Sequence, residues 1–225
     1  MTREHLNETE RTRLRRKRQR GSHQLAAIHA IIDATPMSCV GYLVNGEPRV
    51  TPTIHWRQGN HIYWHGSRAS AALIASADEP VCVTVAVFDG FVLGRSGLHH
   101  SANYRSVMVF GRPTKVQNRD EKLGSLEALV DNLFPERWRS LRPPTRAELE
   151  AVTVLSLPIK EASAKMRSGG ANDPEADVVH PVWAGTVPAR LVLDSPKADP
   201  RMPEGVGRLR RAQCFGQQWH WQSAD

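Results

Sequence analysis

Residues Ser38–Gly66 read SCVGYLVNGEPRVTPTIHWRQGNHIYWHG, and this stretch decides the fold. Ser38–Val44 is an apolar run of strand type. Asn45-Gly46 behind it is the strongest two-residue hairpin signal, because a type I′ turn needs positive φ at both central positions. Pro48–Trp56 then pairs back. Pro48 and Pro52 cannot donate to a ladder, so this strand belongs at an edge or carries a bulge. The turn Arg57–Asn60 leads into a third strand, His61–Gly66. Three strands on such short loops make a meander, as in an antiparallel barrel or sandwich.

Upstream, SHQLAAIHAIIDAT sets Leu25, Ile28, Ile31 and Ile32 at helical spacing, with Ser22 as N-cap and Pro36 as the stop. Downstream, Ser67 is placed to cap a short helix, RASAALIASA, that ends before Pro80. Strands Pro80–Gly90 and Phe91–Gly97 follow, with Asp89-Gly90 as their hairpin turn, and a further strand covers Arg105–Val116. Asn118 caps a helix whose Leu123, Leu126, Leu129, Val130 and Leu133 share one face, and Thr145-x-x-Glu148 is a capping box. Ala151–Met166 supplies a last strand, and periodicity ends beyond Gly169. Hairpin turns dominate, which excludes a βαβ fold. The pattern predicts a mainly β chain with helical insertions, an antiparallel barrel of six or seven strands, closed or split. Its organisation reads as a polar, loosely held arm over 1–20, a barrel domain over 21–196 and a poorly ordered tail over 197–225.

The charge of +7 has one source. Residues 11–20, RTRLRRKRQR, hold seven Arg/Lys and no acid, and the remainder balances at 23 bases against 23 acids. Such an arm is either a solvated basic leader or a means of reaching nucleic acid or another anionic surface. It carries no aromatic residue, which argues against stacking on single strands. No apolar run reaches the length of a membrane span, and no secretory leader is visible, so the expectation is a cytoplasmic protein without membrane contact. Cys39, Cys82 and Cys214 are widely spaced and supply neither a disulfide framework nor a zinc motif; no metal site is expected.

Two polar clusters carry the chemistry. His65-Gly66-Ser67-Arg68, with Ser70 beyond, lies where a strand passes into a helix; backbone N–H groups, hydroxyls and a guanidinium there form an anion site or an ordinary cap. Its glycine pattern fits neither a Walker loop nor a dinucleotide fingerprint. The second cluster, His99, His100, Ser101, Asn103, Tyr104, Arg105 and Ser106, opens onto a buried strand. Neighbouring histidines on a strand point to opposite faces, and Ser101 has no nucleophile-elbow glycines, so metal ligation and a triad are both poor readings. Hydrogen bonding to a polar aromatic ligand and a structural turn both remain open. His55, Trp56, Tyr63 and Trp64 on adjacent strands are core or contact aromatics, or the floor of a flat-ligand pocket.

In order, RGSHQLAAIHAIID, GYLVNGEPRVTPTIHW, IYWHGSRAS, PVCVTVAVFDGFVLGRS, HHSANYRSVMVFG and PVWAG resemble the FMN-binding split-barrel superfamily that includes pyridoxamine 5′-phosphate oxidase. The resemblance covers about Arg20 to Pro196 and is nearest to the flavin-nucleotide-binding branch related to nitroimidazole reductases. It implies FMN held at His65, Gly66, Ser67, Arg68 and Ser70. Thr51, Pro52, Thr53 and Ile54 would line the isoalloxazine, and Asn103, Tyr104, Arg105 and Ser106 would approach from a second wall. It also implies a homodimer with FMN at the interface, and an oxidoreductase passing electrons from a reduced nicotinamide donor to a small organic acceptor. His65 would be the proton donor or flavin-tuning residue, since imidazole titrates near neutrality. Three departures stand out. Ala71 occupies a position that is often basic, the oxidases' C-terminal substrate segment is not recognisable, and RLRRAQCFGQQWHWQSAD is foreign to the branch. Pyridoxamine phosphate oxidation is therefore not expected. The alternatives are a non-catalytic flavin-binding or sensory module, brought to nucleic acid by the basic arm, and a related barrel using deazaflavin or haem.

Overall fold

The computed structural model describes residues 4–207, 212–214 and 217–219. The meander forms as the Asn45-Gly46 turn dictates, with φ +53° and +82° at the two turn residues. Strand β2 (Met37–Val44) pairs with β3 (Glu47–Gln58), and β4 (His61–Ser67) follows; a two-residue β1 (Gly21–Ser22) and helix α1 (Leu25–Ile32) precede them. β3 divides its pairing. Its first half lies against β2 up to Met37↔Ile54, and its second half lies against β4 from His55↔Trp64. A strand that changes partner part-way turns the sheet, and this turn sets the barrel's corner.

After α2 (Ala71–Ser76) come β5 (Val81–Leu93), β6 (Ser101–Gly111), β7 (Thr114–Lys115), α3 (Arg119–Leu133), α4 (Arg146–Ala151), β8 (Val152–Pro158), β9 (Glu161–Arg167) and β10 (Gly185–Pro188). The sheet runs β1-β9-β6-β5-β2-β3-β4-β8-β7, with β10 added to β5. β8 and β9 are consecutive in the chain yet lie towards opposite ends of this path, joined through Ile159-Lys160. The sheet therefore wraps without closing, which is a split barrel. Its interior is Val40, Val83, Val85, Val107, Val109, Trp64, Leu155 and Leu157, and Ile28, Ile31 and Ile32 of α1 pack against it. Ala162 and Ala164 of β9 are fully buried, and their small side chains leave room for α1. A second apolar cluster, Trp56, Val116, Leu129 and Val154, lies beneath α3.

Several local expectations change. The ten-stranded sheet exceeds the six or seven strands read from the pattern, because two-residue strands such as β1 and β7 carry no periodicity. Asp89-Gly90 is not a hairpin: β5 runs through it, with a register shift between Phe88 and Gly90. Gly90 is required there, since its φ is +140° and a Cβ would lie 2.4 Å from the Val187 carbonyl oxygen of β10. Ala151–Met166 is two strands rather than one, and Arg105–Val116 belongs to β6 and β7, with β6 beginning already at Ser101. Ser22 lies in β1 instead of capping α1, which starts after Gln24 and ends at Ile32. The Asn118 cap and the Thr145/Glu148 capping box are both formed.

The basic arm is held, contrary to its polar appearance. Leu6 and Thr12 are buried, Arg11 pairs with Glu161 of β9, and its guanidinium lies 5.3 Å from the Phe110 ring centre. Arg13 and Arg15 pair with Glu8 and Glu10, while Arg16, Lys17 and Arg18 are exposed. Of the tail, Ala212–Cys214 pairs with Gln217–Trp219; the expectation of disorder over 197–225 otherwise falls partly outside the described residues. No described helix is long and apolar enough to cross a membrane.

Candidate functional site

The hairpin register builds the first wall. Val40 stands opposite Thr51, so strand alternation puts Val40, Tyr42, Thr51 and Thr53 on one face of β2 and β3. With Trp64, His65 and Gly66 of β4 and Ser70, Ala72, Leu73 and Ser76 at α2, they line a cavity of about 180 Å³. Its polar side chains include five hydroxyls, from Tyr42, Thr51, Thr53, Ser70 and Ser76, and the His65 imidazole. The Tyr42 and Thr51 hydroxyls are 3.0 Å apart, and Ser76 Oγ donates to the Ala72 carbonyl at 2.6 Å. Ser70 is the N-cap residue of α2, but its side chain makes no capping bond and stays available. Ser67, expected as the cap, ends β4 and accepts from the Ala69 N–H at 3.2 Å. α2 has only six residues, so hydroxyls and backbone groups rather than a helix dipole would receive an anion there. A Cβ on Gly66 would sit 3.0 Å from Leu73 Cδ1, so glycine keeps the strand end close to the helix.

His65 is the unusual member. On β4 the alternation sends Ile62 and Trp64 into the main core, whereas Tyr63 and His65 turn towards Trp56. The His65 ring meets the Trp56 indole edge to face, with centres 5.8 Å apart, and its buried Nδ1 has no hydrogen-bond partner among the described residues. Burial pushes its pKa below the ordinary histidine value, which keeps the imidazole neutral at pH 7. His55 is also pushed down by burial, but its Nε2 lies 2.9 Å from the Ile32 carbonyl oxygen and it serves the core.

The second wall is a different kind of place. Arg105 donates to both oxygens of Asp89 at 2.9 and 2.7 Å, and this bond raises its pKa. Asn103 accepts from Arg167 and donates to the Gly169 carbonyl at 3.1 Å, and Ser106 Oγ donates to the Lys165 carbonyl at 3.2 Å. None of Asn103, Tyr104, Arg105 or Ser106 lines the cavity. His99 Nδ1 is 2.6 Å from Ser96 Oγ, and His100 Nδ1 is 2.9 Å from the Ser96 carbonyl oxygen, which fixes the turn before β6. Of the residues proposed from sequence, the fold brings Thr51, Thr53, His65, Gly66 and Ser70 together. Pro52 and Ile54 stand opposite Cys39 and Met37 on the outward face, and Ser67 and Arg68 are exposed outside the cavity. Sequence reasoning missed Val40, Tyr42, Ala72, Leu73 and Ser76, while Trp64, read as core or as the floor of a flat-ligand pocket, lines the cavity. The register set by Asn45-Gly46 was the signal that could have found Val40 and Tyr42. No group of three or more described His, Cys, Asp or Glu residues could hold a metal ion.

Residues 24–166 match the pattern of the family described as pyridoxamine 5′-phosphate oxidase. The chain belongs to that family. Within it, the chain is similar to the flavocytochrome Anf3 from Azotobacter vinelandii, at 40% identity over 89% of this chain and 94% of that one, with a TM-score of 0.86. It is also similar to an FAD and haem binding protein from Mycobacterium smegmatis, at 32% identity over 84% of this chain and 93% of that one, with a TM-score of 0.80. No curated protein matches it. The oxidase family's split barrel agrees with the unclosed sheet path.

Proposed function

We propose that the chain is a flavin-binding redox protein that works as a homodimer. The observation carrying this reading is the cavity under α2, where the His65 imidazole, which burial keeps neutral, meets the Ser70 hydroxyl, which makes no capping bond. Buried polar atoms are nearly always paired, so unpaired ones in a cavity mark where a polar ligand completes the set. The flavin would supply hydride or electron transfer between a reduced nicotinamide donor and a small organic acceptor. The chain's part is to orient it with Thr51, Thr53, His65 and Ser70 and to keep water from it with Val40, Trp64 and Leu73.

A cavity of about 180 Å³ is smaller than the roughly 300–1,000 Å³ of ordinary ligand sites, so one chain encloses only part of a flavin. A second copy is the source of the rest. Met37, Cys39, Gly41 and Leu43 stand opposite Ile54, Pro52, Val50 and Pro48, and this outward face of β2 and β3 is apolar throughout. Across β5, Thr84 separates this face from the exposed Met108 of β6. Contiguous apolar surface of this kind marks an association site. Leu43→Glu with Val50→Glu is expected to give monomers in sedimentation and to weaken flavin retention. A dimeric double variant, or a monomeric one that keeps its flavin, removes this part of the reading.

The identity of the flavin is read by absorption and by mass of the group released from purified protein. The sequence resemblance to FMN-binding split barrels favours FMN, while the FAD and haem binding relative favours FAD. Colourless protein that takes up neither refutes the proposal. A flavin-plus-haem variant of the reading is favoured by the two relatives described with both groups. An open cleft of about 530 Å³ between Arg95-Ser96 and Ala176–Pro181 has groups that suit a haem. It offers the His180 imidazole, apolar Ala176, Val179 and Pro181, and Arg95, whose buried Nε has no partner. A Soret band lost in His180→Ala supports it; no Soret band ends it.

A further inference from the structure

Two buried polar atoms on touching rings lack partners. Trp56 is fully buried and its Nε1–H donates to nothing among the described residues; the same holds for contact at His65 Nδ1. The rings meet edge to face with centres 5.8 Å apart, and Tyr63 stacks on the far side of Trp56 at 5.7 Å. Indole N–H is a donor only, whereas a neutral imidazole has one donor and one acceptor nitrogen. If His65 carried its proton on Nδ1, two touching rings would each bury a donor without an acceptor, and orphaned buried N–H groups are rare and costly. If the proton sits on Nε2, the Nδ1 lone pair is the acceptor the indole lacks.

We propose that one buried water joins the Trp56 Nε1–H to His65 Nδ1, and that Trp56 thereby fixes His65 as the Nε2–H tautomer. Trp56 is then a positioning residue, and His65 presents an N–H donor to the cavity it lines. The ligand atom it addresses must be an acceptor such as a ring carbonyl, an unprotonated ring nitrogen or a phosphate oxygen. In this state His65 cannot take a proton at Nε2 and cannot ligate a haem iron through it. The ligand half of this inference rests on the flavin reading above; the tautomer half does not.

The test is a long-range ¹H–¹⁵N spectrum of the imidazoles in full-length protein, with and without added FMN or FAD. His65 is expected as Nε2–H in both, and in Trp56→Phe, which keeps an aromatic ring but removes the donor, the proton redistributes towards Nδ1. A wild-type Nδ1–H form, or a folded Trp56→Phe protein with an unchanged His65 spectrum, overturns the pairing. His65→Gln places a carboxamide N–H near Nε2, and His65→Asn places it near Nδ1. Gln is expected to keep flavin affinity within about threefold of wild type and Asn to lose about tenfold, the range of one hydrogen bond. Asn binding as well as Gln overturns the donor assignment even if Trp56→Phe fails to fold. Protein that takes up no flavin overturns the ligand half and the functional reading together, and the wild-type spectrum still decides the Trp56–His65 pair.

Discussion

The two polar walls named from sequence look alike on paper and differ in the fold. Thr53, His65 and Ser70 converge on a cavity, and the His65 ring makes no hydrogen bond among the described residues. Asn103, Arg105 and Ser106 are committed to Arg167, Asp89, Gly169 and Lys165, and do not line that cavity. Polar residues near a strand end therefore serve two purposes that composition cannot separate: satisfied ones build the scaffold, and unsatisfied ones await a ligand. The largest expected break of this contrast is at Gly90, below the second wall. Gly90→Val puts a branched side chain at φ +140° and into the Val187 carbonyl, so β10 must leave β5. A stability loss of about 3 kcal/mol or more is expected in urea unfolding. Flavin affinity, measured where the variant is still folded, should hold because the cavity lies elsewhere.

The next contrast compares the walls directly. Thr53→Val with Ser70→Ala removes two cavity hydroxyls and is expected to weaken flavin binding about tenfold, near 1.4 kcal/mol, in equilibrium titration. Asn103→Ala with Ser106→Ala removes as many polar groups from the other wall and is expected to change affinity by less than about twofold. Equal losses would mean that the second wall reaches a flavin after all, from the partner copy across the apolar face.

Much of the architecture was legible because its signals are local. Asn45-Gly46 fixed a turn, the turn fixed a register, and the register assigned faces to Val40, Tyr42, Thr51 and Thr53. The Thr145/Glu148 box and the Asn118 cap are equally local and form as read. What stayed hidden depends on contacts far apart in sequence. Asp89-Gly90 reads as a hairpin, and only β10, about a hundred residues on, makes it a bulge inside one strand. The commitment of Arg105 to Asp89 across a strand pair, and the docking of the arm through Arg11 and Glu161, are likewise tertiary. The first cluster was named as a phosphate turn, but its position on a strand alternation is what aims His65 at Trp56.

Acid should destabilise the fold through its two buried histidines. Burial holds His55 and His65 below the ordinary value, so the unfolded chain binds protons in a range where the folded chain does not. Their contribution to stability is full above the unfolded histidine pKa of about 6.5 and falls as pH drops below it towards the folded values. Melting temperature is expected to fall between pH 7.5 and pH 5.5, and His65→Gln should flatten part of that slope. Arg105, whose pKa the bond to Asp89 raises further, stays charged throughout that window and contributes nothing to the slope.

The smallest expected effect is at that pair. Arg105 and Asp89 are each about one third exposed, at 34% and 30%, so water screens much of their attraction. The bidentate geometry adds two charge-assisted hydrogen bonds, which lifts the pair above a solvent-exposed one. Asp89→Asn keeps the shape and one acceptor while removing the charge, and a cost of about 0.5–1 kcal/mol is expected in thermal unfolding. If Arg105 were instead a flavin ligand waiting for its anion, releasing it from Asp89 would strengthen flavin binding. The scaffold reading requires affinity to stay flat, so a tighter complex in Asp89→Asn would return the second wall to the site.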